Sequence, residues 1–250
     1  MNPNRSLPVT LITLPALAAL AGSAFGQAQD PALQKEPQWE TSAALGFTLQ
    51  RGNTKTLLFT GNIQTTKKTG KNEWNFGADA TYGENDDEKN AENMRAYGQY
   101  NRLFTERFFG YLRGEVFHDD IADIDYRITI GPGVGYYFIK EKNMSLRAEI
   151  GPAFVHEKTG DGTDDYLTLR LAERFDWKIN DRAKIWQSLE VLPQIDDFDN
   201  YLLNAEAGIE TSITPKLSLR TYVQDTYDNE PAPGRLKNDV KFVTALAYKF

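Results

Sequence analysis

The sequence contains no cysteine, which excludes disulfide bonds, thiol catalysis and cysteine-ligated metals. The same absence excludes a lipid anchor carried by a cysteine at the cleavage point of a leader. Beyond the leader, no run of about 18 apolar residues occurs, and mean hydropathy is −0.53, so a helical membrane protein is excluded. Transmembrane β-strands escape this test, because only every second residue of such a strand faces lipid.

Basic residues are outnumbered, with 28 Lys and Arg against 35 Asp and Glu and a formal net charge of −7. This acidic balance disfavours nucleic acid as a partner. Aromatic residues make up 12% of the chain, which argues against disorder. The composition therefore predicts an ordered protein, and nothing in it calls for a cofactor.

The first residues have the pattern of a secretory signal peptide. Arg5 supplies the positive start, Leu11–Gly22 is a short apolar core, and Ala24 and Gly26 are small residues placed for cleavage. The alternative is a helix that anchors the chain in a membrane. We expect a signal peptide over 1–26 and a flexible periplasmic lead-in over 27–38.

From Trp39 onward the sequence alternates with a period of two, which is typical of β-strands with two different faces. In the first strand Ala43, Leu45 and Phe47 share one face, and small or polar residues occupy the other. About twelve such strands are predicted, at 40–51, 55–67, 72–83, 92–104, 108–118, 126–139, 144–156, 165–177, 183–193, 200–212, 216–227 and 239–250. About 9 to 11 tilted residues cross a bilayer, so these strands are long enough.

The predicted connections alternate in kind, as in outer-membrane barrels. One set is short and often basic, at 67–72, 104–108, 140–143, 180–183 and 214–216. The other set is longer and mostly acidic, at 83–92, 118–126, 157–165, 194–200 and 228–238, and it also includes a tight turn near 51–55. With an even strand count, both chain ends fall on the short-turn, periplasmic side.

Aromatic residues cluster near the predicted strand ends, where amphipathic rings favour the headgroup level of a bilayer. They are Trp39, Trp74, Tyr82, Tyr100, Phe108, Phe117, Tyr136, Phe138, Trp177, Trp186, Tyr201, Tyr222, Tyr248 and Phe250. The alternative is the core of a soluble barrel, which would need a second layer to cover its outward rows. Residues 39–250 are therefore predicted to form a single-domain, all-β, antiparallel transmembrane β-barrel in a Gram-negative outer membrane.

Many charged residues fall on the rows that would face the lumen, and on neighbouring strands they can pair. These are Arg113, Glu115, Arg147, Glu149, Arg170, Arg174, Glu190, Glu206, Glu210, Arg220 and Lys241. Bare charges inside a narrow barrel are costly, so they require partners or water. Two interpretations stay open: a lumen plugged by salt bridges, or a narrow charge-lined channel for small solutes.

The acidic connections offer hard oxygen ligands that suit Ca²⁺ or Mg²⁺ and could bridge to lipopolysaccharide phosphates. The candidates are Asp119, Asp120, Asp123, Asp161, Asp164 and Asp165, although none follows an EF-hand spacing and a solvated acidic surface is the alternative. His118 and His156 would lie beside carboxylates at the outer rim, a pattern compatible with a rim hydrolase or protease. No serine is placed near either histidine, so we expect no enzymatic activity.

The last strand, Asp239 to Phe250, ends on an aromatic residue with another two positions earlier. This ending resembles, in part, the C-terminal signal by which outer-membrane barrels are recognised for insertion, with Tyr248 and Phe250 as its aromatic residues. The first and last strands must pair, because open sheet edges would leave unsatisfied amides in lipid. Expected partners are outer-membrane lipid and lipopolysaccharide, periplasmic chaperones and the barrel assembly machinery.

Three segments carry a resemblance to a known family: "GNTKT" at Gly52–Thr56, "YDNEPAPGRLKND" at Tyr227–Asp239, and the closing "YKF". Over residues 39 to 250 the chain resembles the YdiY-like family of outer-membrane proteins, often described as salt-induced. The resemblance implies an outer-membrane barrel and no established activity. We expect a non-enzymatic role in envelope structure or stress, with a narrow channel, a rim hydrolase and a soluble periplasmic binding barrel as alternatives.

Overall fold

The computed structural model describes residues 38–50 and 56–250, which form a closed antiparallel barrel. Its strands are β1 (Glu40–Gln50), β2 (Thr56–Thr69), β3 (Asn72–Asn85), β4 (Glu88–Leu103), β5 (Phe108–Asp119), β6 (Ile124–Lys140), β7 (Met144–Thr159), β8 (Gly162–Lys178), β9 (Ala183–Pro193), β10 (Tyr201–Ser212), β11 (Leu217–Asp228) and β12 (Asn238–Lys249). Each strand pairs with its sequence neighbours, and β1 pairs with β12 from Ser42↔Lys249 to Leu45↔Leu246. The prediction of a twelve-stranded barrel is confirmed.

Three segments singled out in the sequence fall wholly or mostly outside this description. The signal peptide and all of the lead-in except Gln38 lie outside the described residues, as does the "GNTKT" motif except for Thr56. The described part of the chain has no helix long and apolar enough to cross a membrane.

The two ends of the barrel differ. The end at which β1 begins and β12 ends, called the turn end, is joined by connections of two to four residues, at 70–71, 104–107, 141–143, 179–182 and 213–216. The opposite end, called the loop end, carries the two long described connections, at 194–200 and 229–237. The prediction that the longer connections lie at one end of the barrel therefore holds for these two connections.

Three other connections at the loop end are shorter than predicted. The expected loops at 83–92, 118–126 and 157–165 reduce to turns at 86–87, 120–123 and 160–161. Their polar residues continue the hydrogen-bonded ladders, as in the facing pair Glu84↔Lys89. Asp86 and Asp87 both have positive φ, as tight hairpin turns require. The polar residues mark the point at which these strands leave an apolar environment. They do not mark the ends of the strands, which continue past that point into water.

The strand faces divide as the alternation predicts. In β1, Leu45 is 61% exposed on the outside, whereas its neighbour Ala44 is 3% exposed on the inside. Outward aromatic rings lie near both ends: Trp74 packs on Tyr100 at the turn end, with ring centroids 4.3 Å apart, and Tyr201 packs on Tyr227 at the loop end. The outer surface is thus an apolar band between aromatic residues.

Three aromatic residues predicted to lie at the bilayer interfaces lie inside the barrel instead, so this prediction is wrong for them. Phe117, Trp186 and Tyr222 lie on inward rows and line internal cavities. Their nearness to strand ends suggested an interfacial position. However, the alternation of each strand directs them into the lumen, where the Trp186 indole donates a hydrogen bond to Glu206 at 2.6 Å.

Inward glycines on β6 make room for aromatic rings from β5. A Cβ atom at Gly135 would collide with the ring of Phe109, and one at Gly133 would collide with Tyr111. Phe109 is fully buried and packs with Tyr137, with ring centroids 5.2 Å apart. This packing fills the lumen at the turn end on the side of β4 to β6.

The β6–β7 ladder is interrupted midway along the strands. Pairing stops at Ile130↔Phe154 and resumes in the same register at Val134↔Ile150, so Pro132 faces Pro152. Neither proline has an N–H group to donate. The two prolines therefore leave no unsatisfied N–H donor in the wall at the level where the ladder is interrupted.

Candidate lumen site

The eleven predicted lumen charges all lie on inward rows. Ten of them line one or both of two internal cavities: Arg113, Glu115, Arg147, Glu149, Arg170, Arg174, Glu190, Glu206, Arg220 and Lys241. The eleventh, Glu210, is buried nearer the turn end. Strand alternation and the antiparallel register bring these side chains together, because inward residues of neighbouring strands stand side by side.

The two cavities follow one another along the barrel. The loop-end cavity has a volume of about 300 Å³, and the central cavity has a volume of about 160 Å³. They share a charged wall that includes Asp79, Arg95, Arg113, Arg170 and Glu190. This shared wall stands where the two cavities meet.

Arg170 is the centre of the ion-pair network in this shared wall. Its guanidinium contacts Glu149 at 2.9 Å and Glu190 at 2.5 Å. Arg113 reaches Glu190 at 3.9 Å across three intervening strands. Buried charges are tolerated only when paired in this way.

Positive charge dominates the wall of the central cavity. Its cations are Arg95, Arg113, Arg147, Arg170, Arg174, Lys184, Arg220 and Lys241, and its inward anions are Asp79, Glu149, Glu190 and Glu206. Glu173 also borders the cavity but belongs to the outward row of β8. This surplus of cations is local to the cavity wall, whereas the chain as a whole has a net charge of −7. Several partner carboxylates, such as Asp176 and Glu210, lie outside this wall.

A second ion cluster lies at the turn end. Glu210 is 2% exposed and contacts Arg220 at 2.9 Å, Lys249 at 3.1 Å and Lys184 at 3.3 Å. Ser218 donates a hydrogen bond to the same carboxylate at 3.0 Å. This cluster fills the lumen on the side of β9 to β12, opposite the aromatic packing of β4 to β6.

Sequence reasoning did not select several residues of the site. Asp79 and Arg95 face each other on β3 and β4 and form an ion pair at 3.3 Å. Arg127 on β6 pairs with Glu157 on β7 and, at 3.0 Å, with Asp228 on β11. Alternation places such residues inward, but contacts between distant strands depend on barrel closure and cannot be obtained from spacing.

The six aspartates proposed as cation ligands do not form a common site. Asp119 belongs to β5, and Asp164 and Asp165 belong to β8, so three of the six are strand residues. Within 38–50 and 56–250, no group of three or more acidic or histidine side chains could hold a metal ion. Lys89 contacts Asp120 at 2.8 Å, and this hydrogen bond lowers the pKa of the Asp120 carboxyl.

The two histidines lie at the loop end. His118 Nδ1 is 3.0 Å from the carbonyl oxygen of Ile124. His156 Nδ1 is 2.6 Å from Asp165, and its Nε2 is 3.4 Å from the Tyr126 hydroxyl. In the described chain neither histidine is hydrogen-bonded to a serine.

The C-terminal residues lie on the outside of the turn end. Phe250 is 74% exposed and packs edge-on against Tyr248, with ring centroids 5.2 Å apart. The Phe250 N–H donates a hydrogen bond to the Thr41 carbonyl at 3.1 Å. The last residue thus joins the β1–β12 closure, and its ring remains outside.

The architecture and its lumen define a porin-like twelve-stranded barrel. The solved NanC porin shares this fold, with a TM-score of 0.53 and 6% identity over 84% of this chain and all of that chain. The translocator domain of autotransporter NalP from Neisseria meningitidis aligns with a TM-score of 0.47 and 12% identity, covering 85% of this chain and 87% of that one. The KdgM porin aligns with a TM-score of 0.46 and 8% identity, covering 85% and 99%.

The chain belongs to the family described as "Protein of unknown function, DUF481", whose model matches residues 43–250. It is 27% identical over 236 residues to the uncharacterized protein YdiY of Escherichia coli strain K12, covering 88% of this chain and 91% of that protein. The resemblance inferred from the sequence is therefore confirmed.

Proposed function

We propose that this protein is an integral outer-membrane barrel whose lumen is a narrow, selective passage for small anionic solutes. The observation that carries the proposal is the surplus of cationic side chains around the central cavity. Rings of Arg and Lys attract anions and repel cations in a water-filled constriction. The loop-end cavity leads to this constriction and would supply it with solute.

The outer-membrane location is supported by the outer surface. Exposed apolar side chains cover the outer wall, and rings such as Trp74 and Tyr201 lie near its two ends. Closure between β1 and β12 leaves no open sheet edge, as a bilayer requires. We expect the protein to fractionate with outer membranes and to migrate differently on SDS gels before and after heating. Mature protein in the soluble periplasm without detergent would contradict this location.

The anion preference can be measured with purified protein in planar bilayers under a KCl gradient. Wild-type protein should give small conductance steps, and its reversal potential should have the sign expected for chloride. Replacing Arg147 and Arg174 by Gln should shift the reversal potential toward the cation value, because both guanidinium groups line the central cavity.

Lys158→Gln is the matched control, because this lysine forms an exposed ion pair with Asp125 outside both cavities. A reversal potential of the same sign and size in the Arg147/Arg174 variant and in wild type would overturn the proposed selectivity.

A second candidate function is a structural barrel without transport. It is favoured by side chains that cross the lumen, including Lys241 to Asn93 at 2.8 Å and Gln99 to Glu149 at 3.0 Å, and by the packed turn end. Wild-type protein that inserts in bilayers and gives no conductance would support this role. The contacts of His118 and His156 give no support to a hydrolytic function.

Partners follow from the location. We expect the outward band to contact lipid and the loop end to contact lipopolysaccharide. Divalent cations would bridge loop-end carboxylates, such as those of Asp161 and Asp164, to lipopolysaccharide phosphates. Periplasmic chaperones and the barrel assembly machinery would handle the unfolded chain, with Tyr248 and Phe250 as the aromatic residues of the insertion signal.

A further inference from the structure

An arginine spans the lumen near its loop end. Arg127, near the start of β6, contacts Asp228, the last residue of β11, at 3.0 Å. Four strands separate β6 from β11 on one side of the barrel and six on the other, so this ion pair joins nearly opposite walls. The guanidinium is buried and lines the loop-end cavity.

The arginine has a second partner on its own side. Glu157 on β7 faces Arg127 in the strand register and forms an ion pair with it. If Asp228 moves away, the guanidinium therefore keeps one carboxylate, and no buried charge is left unpaired. Asp228 is at a strand end, where its carboxylate can be solvated by water at the mouth. The cross-lumen contact is thus the inexpensive one to break.

We infer that Arg127, Glu157 and Asp228 form a latch that controls access of small solutes to the loop-end cavity. In the closed state Arg127 bridges the mouth, and in the open state it remains on Glu157 while Asp228 is released. This inference concerns regulation of the passage proposed above and rests on that function for its physiological meaning. The latch itself can be tested without measuring conduction.

The test uses a single cysteine, because the natural chain contains none. Thr129→Cys places a thiol on the inward row of β6, two residues beyond Arg127, in the wall of the loop-end cavity. The rate of modification by small methanethiosulfonate reagents is measured on protein in lipid vesicles. Positive, negative and neutral reagents are compared.

With the latch intact, modification should be slow for all three reagents. Arg127→Gln and Asp228→Asn should each accelerate it roughly tenfold, the factor that corresponds to ~1.4 kcal/mol in the equilibrium between closed and open states. The double variant should be no faster than either single variant, because both remove one contact. Lys158→Gln, which breaks an exposed ion pair outside both cavities, should leave the rate unchanged.

Acceleration of only the positive or only the negative reagent would show a change of local charge and would overturn the latch. Equal rates in wild type and in both single variants would overturn it as well. Heat-modifiable migration on gels identifies any variant that has not folded, and Asp228→Asn then tests the inference without loss of the buried arginine. Conductance with unchanged labelling refutes the latch alone, whereas accelerated labelling without conductance refutes the passage alone.

Discussion

Removing Arg170 should destabilise the barrel more than any exposed charge can. The side chain is 8% exposed and joins Glu149 at 2.9 Å to Glu190 at 2.5 Å. Breaking a buried ion pair from one side costs about 3 to 5 kcal/mol, because the remaining charge is left without its partner. Here Arg147 still contacts Glu149 at 3.1 Å, and Arg113 still lies 3.9 Å from Glu190. We therefore expect Arg170→Met to cost ~3 kcal/mol, the lower end of that range.

The measurement is urea-induced unfolding in detergent micelles, followed by tryptophan fluorescence. Lys178→Met is the control on the same strand, since its ion pair with Asp181 is solvent-exposed and should contribute little. Adding Glu190→Leu to Arg170→Met should recover part of the loss, because a buried carboxylate that has lost its nearest partner is then removed. A loss of less than ~1 kcal/mol for Arg170→Met would refute the reasoning that the lumen network is buried and mutually dependent.

Three further predictions test packing, assembly and topology. Gly135→Ala should cost ~1 to 3 kcal/mol in the same unfolding assay, because the new methyl group collides with an inward ring; wild-type stability would show that this ring can move aside. Deleting Phe250 should lower the amount of assembled protein in cells while refolding in micelles stays nearly normal. The control Leu246→Ala, on the same outward row, should leave assembly intact. Equal assembly of both variants would exclude a signalling role for the final residue. A cysteine at Asp161 should react with an impermeant maleimide on intact cells and one at Lys142 should not, and the reverse labelling would invert the orientation.

Most of the strand pattern could be predicted because one physical rule governs it. Lipid outside and a polar lumen inside impose a period of two, so Leu45 and Ala44 were assigned to the correct faces from sequence alone. The same rule placed eleven charges on inward rows. It failed at the strand ends, where Asp164 and Asp165 extend a ladder into water and no bilayer marks the boundary.

The lumen contacts between distant strands could not be predicted in the same way. Arg127 and Asp228 are 101 residues apart, and they meet only because closure of the ring sets its diameter and the relative heights of its strands. Alternation gives the direction of a side chain and not its partner across the lumen. Trp186 is a different case, because its nearness to a strand end suggests a bilayer interface whereas the alternation of β9 directs its indole into the barrel.

The facing prolines of β6 and β7 have a mechanical consequence for the wall. At Pro132 and Pro152 the two strands are held by close packing, with hydrogen-bonded pairs above and below. Bending along this line breaks no proline N–H bond, since none exists. This level of the wall is therefore held by fewer backbone hydrogen bonds than the levels above and below it. Tyr111 fills the space beside Gly133 at this level, and Arg170 stacks over its ring at 5.3 Å, so the tighter packing here connects the proline pair to the lumen network.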